Sequence, residues 1–193
     1  MNAATLVLAS RSPRRRQLLE MLRISHVVDP VEVDELPRPG EDPESYAIRL
    51  AREKALAGSK KHPDIWVLGA DTVVVLDGRI LGKPKSPTAA EDMLLELAGN
   101  RHRVVSAVAL ARGDDMHGAC DVTSVWIRQM TREGARAYVR TGEPLDKAGS
   151  YGIQGLGAVL VDRIEGDYFS VMGLPLRLVV DLMSAAGIPY NFT

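Results

Sequence analysis

Trp66-Val67-Leu68-Gly69-Ala70-Asp71-Thr72-Val73-Val74-Val75-Leu76-Asp77-Gly78-Arg79-Ile80-Leu81-Gly82-Lys83-Pro84 is the stretch that decides the fold. Residues 73–76 are β-branched or large and apolar, residues 65–68 are apolar as well, and Asp77-Gly78 is a pair that tolerates the positive φ of a tight hairpin turn. The reading is a buried strand that turns into a hairpin, with Asp71 in its middle. An ionised carboxylate among apolar neighbours must be paired, hydrogen-bonded, bound to a cation or turned into a cleft, because burying it bare is costly. From these residues alone, a bulge at Gly69-Ala70 that lets Asp71 cap a neighbouring loop is equally open.

Upstream, residues 5–9 read as a short buried strand. Residues 10–22 read as a loop and helix entered through a Ser N-cap and a Pro at the first helical position. A strand, a small polar loop and a helix start form an anion-binding arrangement, and Ser10, Arg14 and Arg15 are its candidate groups. Arginines in a first helical turn oppose the helix dipole by a few tenths of a kcal/mol unless an anion sits there; a solvated basic turn is the alternative. Leu18, Leu19 and Leu22 are the predicted core face. Residues 26–35 read as a second extended segment whose end, Glu32, Asp34 and Glu35, is either a solvated strand end or a set of carboxylates for a hard divalent cation. Asp42-Pro43 starts a helix running to about residue 60. On it Tyr46, Leu50 and Lys54 fall four apart, so Lys54 shares a face with Ala47 and Ala51, where a lysine either snorkels to solvent or reaches a phosphate oxygen.

Downstream, Ser86-Pro87-Thr88 opens a helix carrying Met93, Leu94, Leu95 and Leu97 that stops at Gly99-Asn100. Residues 103–112 and 121–129 read as a long antiparallel pair separated by residues 113–118, and a helix follows over residues 132–140. His62, His102 and His117 lack ligand spacing and are expected on the surface or in loops. In residues 143–157, four of the chain's 17 glycines fall within nine residues beside Asp146, Lys147, Tyr151 and Gln154. Such a segment, set between a helix and a strand expected over residues 158–164, is more often a site wall than a plain turn. A last amphipathic helix is expected over residues 176–186.

The chain has 193 residues, 46% hydrophobic and 25% charged, enough to bury a core as a single domain, read as two lobes over residues 1–193 with no linker. With 24 basic and 25 acidic residues the net charge is -1, which argues against a nucleic-acid coat or a membrane-surface binder. The single cysteine, Cys120, excludes an internal disulfide, fits a reducing compartment and reads as a small buried hydrophobe. Near the start only residues 3–9 are apolar, with arginines after them rather than before, so neither a signal peptide nor a transmembrane span is expected and the expected location is cytoplasmic.

Leu8-Ala-Ser-Arg-Ser-Pro-Arg-Arg15, Val33-Asp-Glu35, Ala51-Arg-Glu-Lys54, Gly69-Ala-Asp-Thr72, Gly82-Lys-Pro84, Asp146-Lys-Ala-Gly-Ser-Tyr-Gly-Ile-Gln-Gly155 and Gly166-Asp-Tyr with Val171-Met-Gly-Leu-Pro175 occur in this order. Together they resemble the Maf family of nucleoside triphosphate pyrophosphatases from end to end. The resemblance implies an α/β fold like that of inosine triphosphate pyrophosphatases, an elongated mixed β-sheet flanked by helices with two lobes around a deep cleft, and a homodimer. It implies hydrolysis of a nucleoside triphosphate between the α and β phosphates with a divalent cation, Mg or Mn, and an association with septum formation. In that reading Asp71 is the general base, Glu35 helps to bind the metal, and Ser10, Arg14, Arg15, Lys54 and Lys83 cradle the triphosphate, Arg15 and Lys83 stabilising charge. Arg14, Thr72 and Gln154 side with the family branch that prefers dTTP and UTP over 7-methyl-GTP. An amide at position 154 can match the mixed donor and acceptor edge of uracil or thymine. Two alternatives stay open: a 7-methyl-GTP pyrophosphatase, and a nucleotide-binding regulator of septum formation without turnover.

Overall fold

A computed structural model describes residues 5–192; residues 3 and 4 of the N-terminal apolar run lie outside the described residues. The strands are β1 (Leu6–Leu8), β2 (His26–Val28), β3 (Val67–Leu76), β4 (Arg79–Leu81), β5 (Arg101–Arg112), β6 (Asp115–Ile127) and β7 (Val161–Glu165). The helices are α1 (Pro13–Met21), α2 (Pro43–Ser59), α3 (Pro87–Leu97), α4 (Arg132–Arg140), α5 (Tyr168–Met172) and α6 (Leu176–Ala185). Hydrogen bonding orders the strands β2-β1-β3-β5-β6-β7, with β4 on β3. β1 runs parallel to β2 and β3, whereas β4 is antiparallel to β3 and β7 to β6, so the sheet is mixed as expected of the α/β class. Among the described residues no helix is long and apolar enough to cross a membrane.

The chain divides into two compact units, each assembled from separate segments: Met1–Asp71, Ser106–Asp121 and Gly173–Thr193 in the first, Thr72–Val105 and Val122–Met172 in the second. In the first, Leu6, Val7, Leu8 and Ala9 are fully buried, as parallel strands covered on both faces require. α1 enters through Ser12, whose hydroxyl accepts from the Arg15 N–H, and buries Leu18 and Leu19; Ile24, rather than Leu22, completes that apolar face. α2 is capped by Asp42, which accepts from the Ser45 N–H, with Pro43 in its first turn. In the second unit, Asp77 and Gly78 have φ of 49° and 78°, the pair of positive values of a type I′ turn, and fold β3 onto β4. α3 starts at the Ser86 cap and packs Ala90, Leu94 and Leu97 into the core with Val104, Val125 and Tyr138.

Several boundaries differ from the sequence expectation. β2 covers only three residues, and residues 29–38 carry no regular structure. β6 begins at Asp115, so the turn after β5 is the pair Gly113-Asp114 rather than a six-residue loop: Met116, His117 and Gly118, which read as turn residues in isolation, are partly buried strand residues. Residues 155–160 form a 3₁₀ helix and β7 starts only at Val161. Cys120 is partly buried, and that burial pushes its thiol up to about 11, outside the range of a reactive thiolate.

His102 is neither surface nor loop: it lies on β5 and is 2% exposed. Its Nε2 lies 2.8 Å from the Tyr151 hydroxyl, with the two rings edge to face. Burial lowers its pKa from the ordinary 6.5 to about 4. The unfolded chain therefore binds the His102 proton as the pH drops below about 6.5 while the native chain refuses it until about 4, so this residue's contribution is intact above 6.5 and lost across that window. Denaturant unfolding at pH 7 and pH 4 should show wild type losing about 3 kcal/mol more than His102→Gln does; equal losses would count against this coupling.

Candidate active site

β3 and α2 build the core of the site. β3 runs as one strand through Gly69 and Ala70, and Gly69 serves the approach of a helix rather than a bulge. A Cβ at Gly69 would fall on the Ala51 carbonyl oxygen and lie 2.5 Å from the Ala55 nitrogen. Ala47, Ala51 and Ala55, all fully buried, keep the α2 face that meets the strand equally small. The residue beside Ala55 on α2 is Lys54, and the residue two beyond Gly69 on β3 is Asp71. The Lys54 ammonium donates to Asp71 Oδ1 at 2.7 Å and lies 2.6 Å from Glu35 Oε1. Asp71 is 8% exposed, so the buried carboxylate of the sequence reading has its counterion. Lys54 does not snorkel away: its side chain is 12% exposed, against 57% for Glu35.

Glu35 sits in the irregular segment after β2, which α2 pins in place. The Tyr46 hydroxyl donates to the Glu35 carbonyl at 2.7 Å, and Arg49 donates to the Leu36 carbonyl at 3.2 Å. Burial, with the charges of Asp71 and Glu35 added, pushes the Tyr46 phenol up to about 12, so it stays a donor at neutral pH.

The loop before α1 contributes Ser10, and the first turn of α1 contributes Arg15. The Arg15 guanidinium donates to the Ala70 carbonyl at 2.9 Å, the Gly173 carbonyl at 2.9 Å and the Ser10 hydroxyl at 3.3 Å. Burial lowers its pKa, and the charges of Asp71 and Glu35 oppose that effect while Arg14 adds to it. Arg15 is thus a strut that brings positive charge next to Asp71. The basic turn also has protein acceptors elsewhere, Arg11 on Glu32 and Arg16 on Glu20, so an anion is not needed to explain every arginine in it. Arg14 is partly buried.

Asp71, Glu35, Lys54, Arg15, Arg14 and Ser10 therefore belong to the first unit, while Thr72, Lys83 and Gln154 belong to the second. Within the second unit, Lys83 is exposed in the loop after β4, and the Gly149 N–H donates to the Gly82 carbonyl beside it at 3.2 Å. Gln154 is exposed and Thr72 partly buried. Among the described residues no group of three or more His, Cys, Asp or Glu has the arrangement to hold a metal ion by itself. Glu35 and Asp71 do converge on one point, now marked by the Lys54 ammonium. Two carboxylates suit a magnesium-type ion whose remaining ligands are substrate phosphates and water.

The glycine-rich segment is explained largely by the protein's own groups. Glu143 Oε1 accepts from the Gly157 N–H and the Tyr138 hydroxyl, at 2.9 and 2.8 Å, and its Oε2 accepts from the Leu156 N–H at 2.9 Å. Burial pushes the Glu143 carboxyl up, but these donors outweigh it and hold the group below its ordinary range. Gly155, at φ of 67°, would place a Cβ 2.6 Å from Glu143 Oε2, and at Gly157 it would fall on the Tyr138 oxygen. Sequence reasoning missed Tyr138, Glu143 and His102. The available signals were an acid immediately ahead of the glycines and the alternation of Arg101-His102-Arg103-Val104, which turns His102 inward. The Gly166-Asp-Tyr motif is structural in this fold: Asp167 Oδ1 accepts from the Phe169 N–H at 2.7 Å and starts α5.

A model of the family described as Maf-like protein matches residues 5–186. The chain belongs to the Maf-like family. This Maf-like chain is 48% identical over 184 residues to a dTTP/UTP pyrophosphatase of Symbiobacterium thermophilum, covering 95% of each chain. It is 46% identical over 189 residues to a dTTP/UTP pyrophosphatase of Methylobacillus flagellatus, covering 97% of this chain and 95% of the other. The corresponding protein of Vibrio parahaemolyticus is 47% identical over 173 residues, covering 89% and 92%. A solved Ham1 protein of Staphylococcus aureus aligns with a TM-score of 0.49 at 20% identity over 81% of this chain and 79% of its own, a likeness that carries no argument.

Proposed function

We propose that this Maf-like chain is a nucleoside triphosphate pyrophosphatase that hydrolyses dTTP and UTP to the monophosphate and pyrophosphate. The names of relatives 46–48% identical over nearly the whole chain support the substrate class. The observation that carries the chemistry is the Asp71 carboxylate, 8% exposed and hydrogen-bonded to Lys54. Asp71 orients a water molecule and takes its proton as the water oxygen joins phosphorus and the bridging P–O bond breaks towards pyrophosphate. Lys54 and Arg15 place positive charge beside the Asp71 carboxylate. A divalent cation, held by Glu35 and Asp71 together with phosphate oxygens, would neutralise triphosphate charge. Ser10, Arg14, Lys54 and Lys83 bind phosphate oxygens, Lys83 offsetting the charge that develops on the leaving group, and Thr72 and Gln154 contribute to nucleobase choice.

Pyrophosphate release in magnesium or manganese from dTTP, UTP, CTP, dATP, GTP and 7-methyl-GTP tests this reading. dTTP and UTP should exceed the others by tenfold or more in kcat/KM, about the discrimination a well-formed pocket gives between similar substrates. Faster turnover of 7-methyl-GTP would move the substrate to methylated purines. Binding without any turnover would replace the enzyme by a nucleotide-binding protein.

A further inference from the structure

Gln154 sits on a short loop whose two sides are fixed by one pair of side chains outside the proposed catalytic groups. On one side the Gly152 N–H donates to the Tyr138 hydroxyl at 3.3 Å. On the other, the Leu156 and Gly157 N–H groups donate to the Glu143 carboxylate at 2.9 Å each. The Tyr138 hydroxyl donates in turn to Glu143, closing a continuous chain of hydrogen bonds beneath Gln154. Lys147 donates to the Glu143 carbonyl, tying the start of the segment to the same residue. Tyr138 is 8% exposed on α4 and Gly157 is buried, whereas Gln154 itself is exposed. The exposed amide is thus carried by a backbone that has little freedom.

We propose that Tyr138 and Glu143 are positioning residues which hold the Gln154 amide in one pose, and that they set nucleobase discrimination without taking part in phosphate chemistry. This rests on the reading of Gln154 as a residue that meets the base edge. A carboxylate is the right anchor, because it accepts from several N–H donors at once and has no hydrogen of its own to set against them. An amide at position 143 would present an NH2 group to at least one of those donors. The phenol is equally specific: it accepts from Gly152 and donates to Glu143, a pairing that a phenyl ring cannot make.

Tyr138→Phe and Glu143→Gln test this by steady-state kinetics on dTTP, UTP and CTP, with thermal unfolding of each variant alongside. The expected result is a rise of about tenfold in KM for dTTP and UTP, kcat held within about twofold, and a fall of about tenfold in the dTTP to CTP ratio of kcat/KM. Tyr138→Phe keeps the ring in the core and remains informative where Glu143→Gln folds poorly. A merely structural role would lower stability and slow all three nucleotides by the same factor, and that outcome overturns the proposal. Gln154→Ala separates the two readings. If it leaves discrimination intact, the assignment of Gln154 to the base falls, and the clamp's role in specificity with it. If Gln154→Ala removes discrimination while the two clamp variants keep it, only the clamp proposal falls. The double variant Glu143→Gln/Gln154→Ala should lose no more discrimination than Gln154→Ala alone, since both act through one group. Dissociation constants for the same nucleotides read the same ratio where turnover is too slow to follow.

Discussion

Asp71→Asn should lower kcat for pyrophosphate release from dTTP by about a thousandfold, within the range by which a positioned general base accelerates a reaction. The substitution is nearly isosteric, and the amide oxygen can still accept from the Lys54 ammonium, which keeps Glu35 as a charged partner at 2.6 Å. The fold should therefore change little, and at saturating divalent cation the loss should fall on kcat more than on KM. Single-turnover measurement with enzyme in excess over dTTP separates chemistry from product release. Retention of more than a tenth of the wild-type rate would remove Asp71 from the role of base and leave the Lys54–Asp71 pair a structural one.

Gly69→Ala should cost about 3 kcal/mol or more and lower Tm by about 10 °C, because the added methyl meets two backbone atoms of α2, which cannot rotate away. Gly58→Ala is the informative contrast. Its Cβ would lie 2.6 Å from a Val67 methyl, a side-chain atom that can shift slightly, and alanine also favours the helix by up to about 1 kcal/mol. Gly69→Ala should also reduce activity beyond its effect on stability. The helix it displaces carries Lys54, and a shift of a few tenths of an ångström moves the ammonium relative to Asp71. Similar melting temperatures for the two variants would show that α2 and β3 have more room than the geometry indicates.

The hairpin of β3 and β4 was legible because its turn needs positive φ at two successive residues and Asp-Gly supplies them. The apolar face of α2 with Tyr46, Ala47, Leu50 and Ala51 was legible from its spacing, and so was the placement of Lys54 on it. The partner of Lys54 was not, because a periodicity shows which face a side chain occupies but not which strand lies opposite; Asp71 is 17 residues further along the chain. Gly69 was open to a bulge reading for the same reason, since its meaning lies in the backbone of another element. Residues 115–118 looked like a loop because Asp115, His117 and Gly118 are polar or lack a side chain, yet pairing with β5 makes them strand. The five-residue α5 is too short for any periodicity to show. Tyr138 and Glu143 escaped notice because their partners are backbone N–H groups, which every residue but proline has and no sequence pattern marks.

The Arg15 strut joins residues 158 positions apart, since its acceptor is the carbonyl of Gly173. At about 5–20 residues per second, a growing chain needs on the order of ten seconds or more to travel from one to the other. For the later part of that interval the segment holding Asp71 exists without the final piece of its own unit. The strut is therefore completed late, close to the end of synthesis, and a ribosome that stalls before residue 173 leaves a product whose Arg15 has the Ala70 carbonyl but not its Gly173 acceptor.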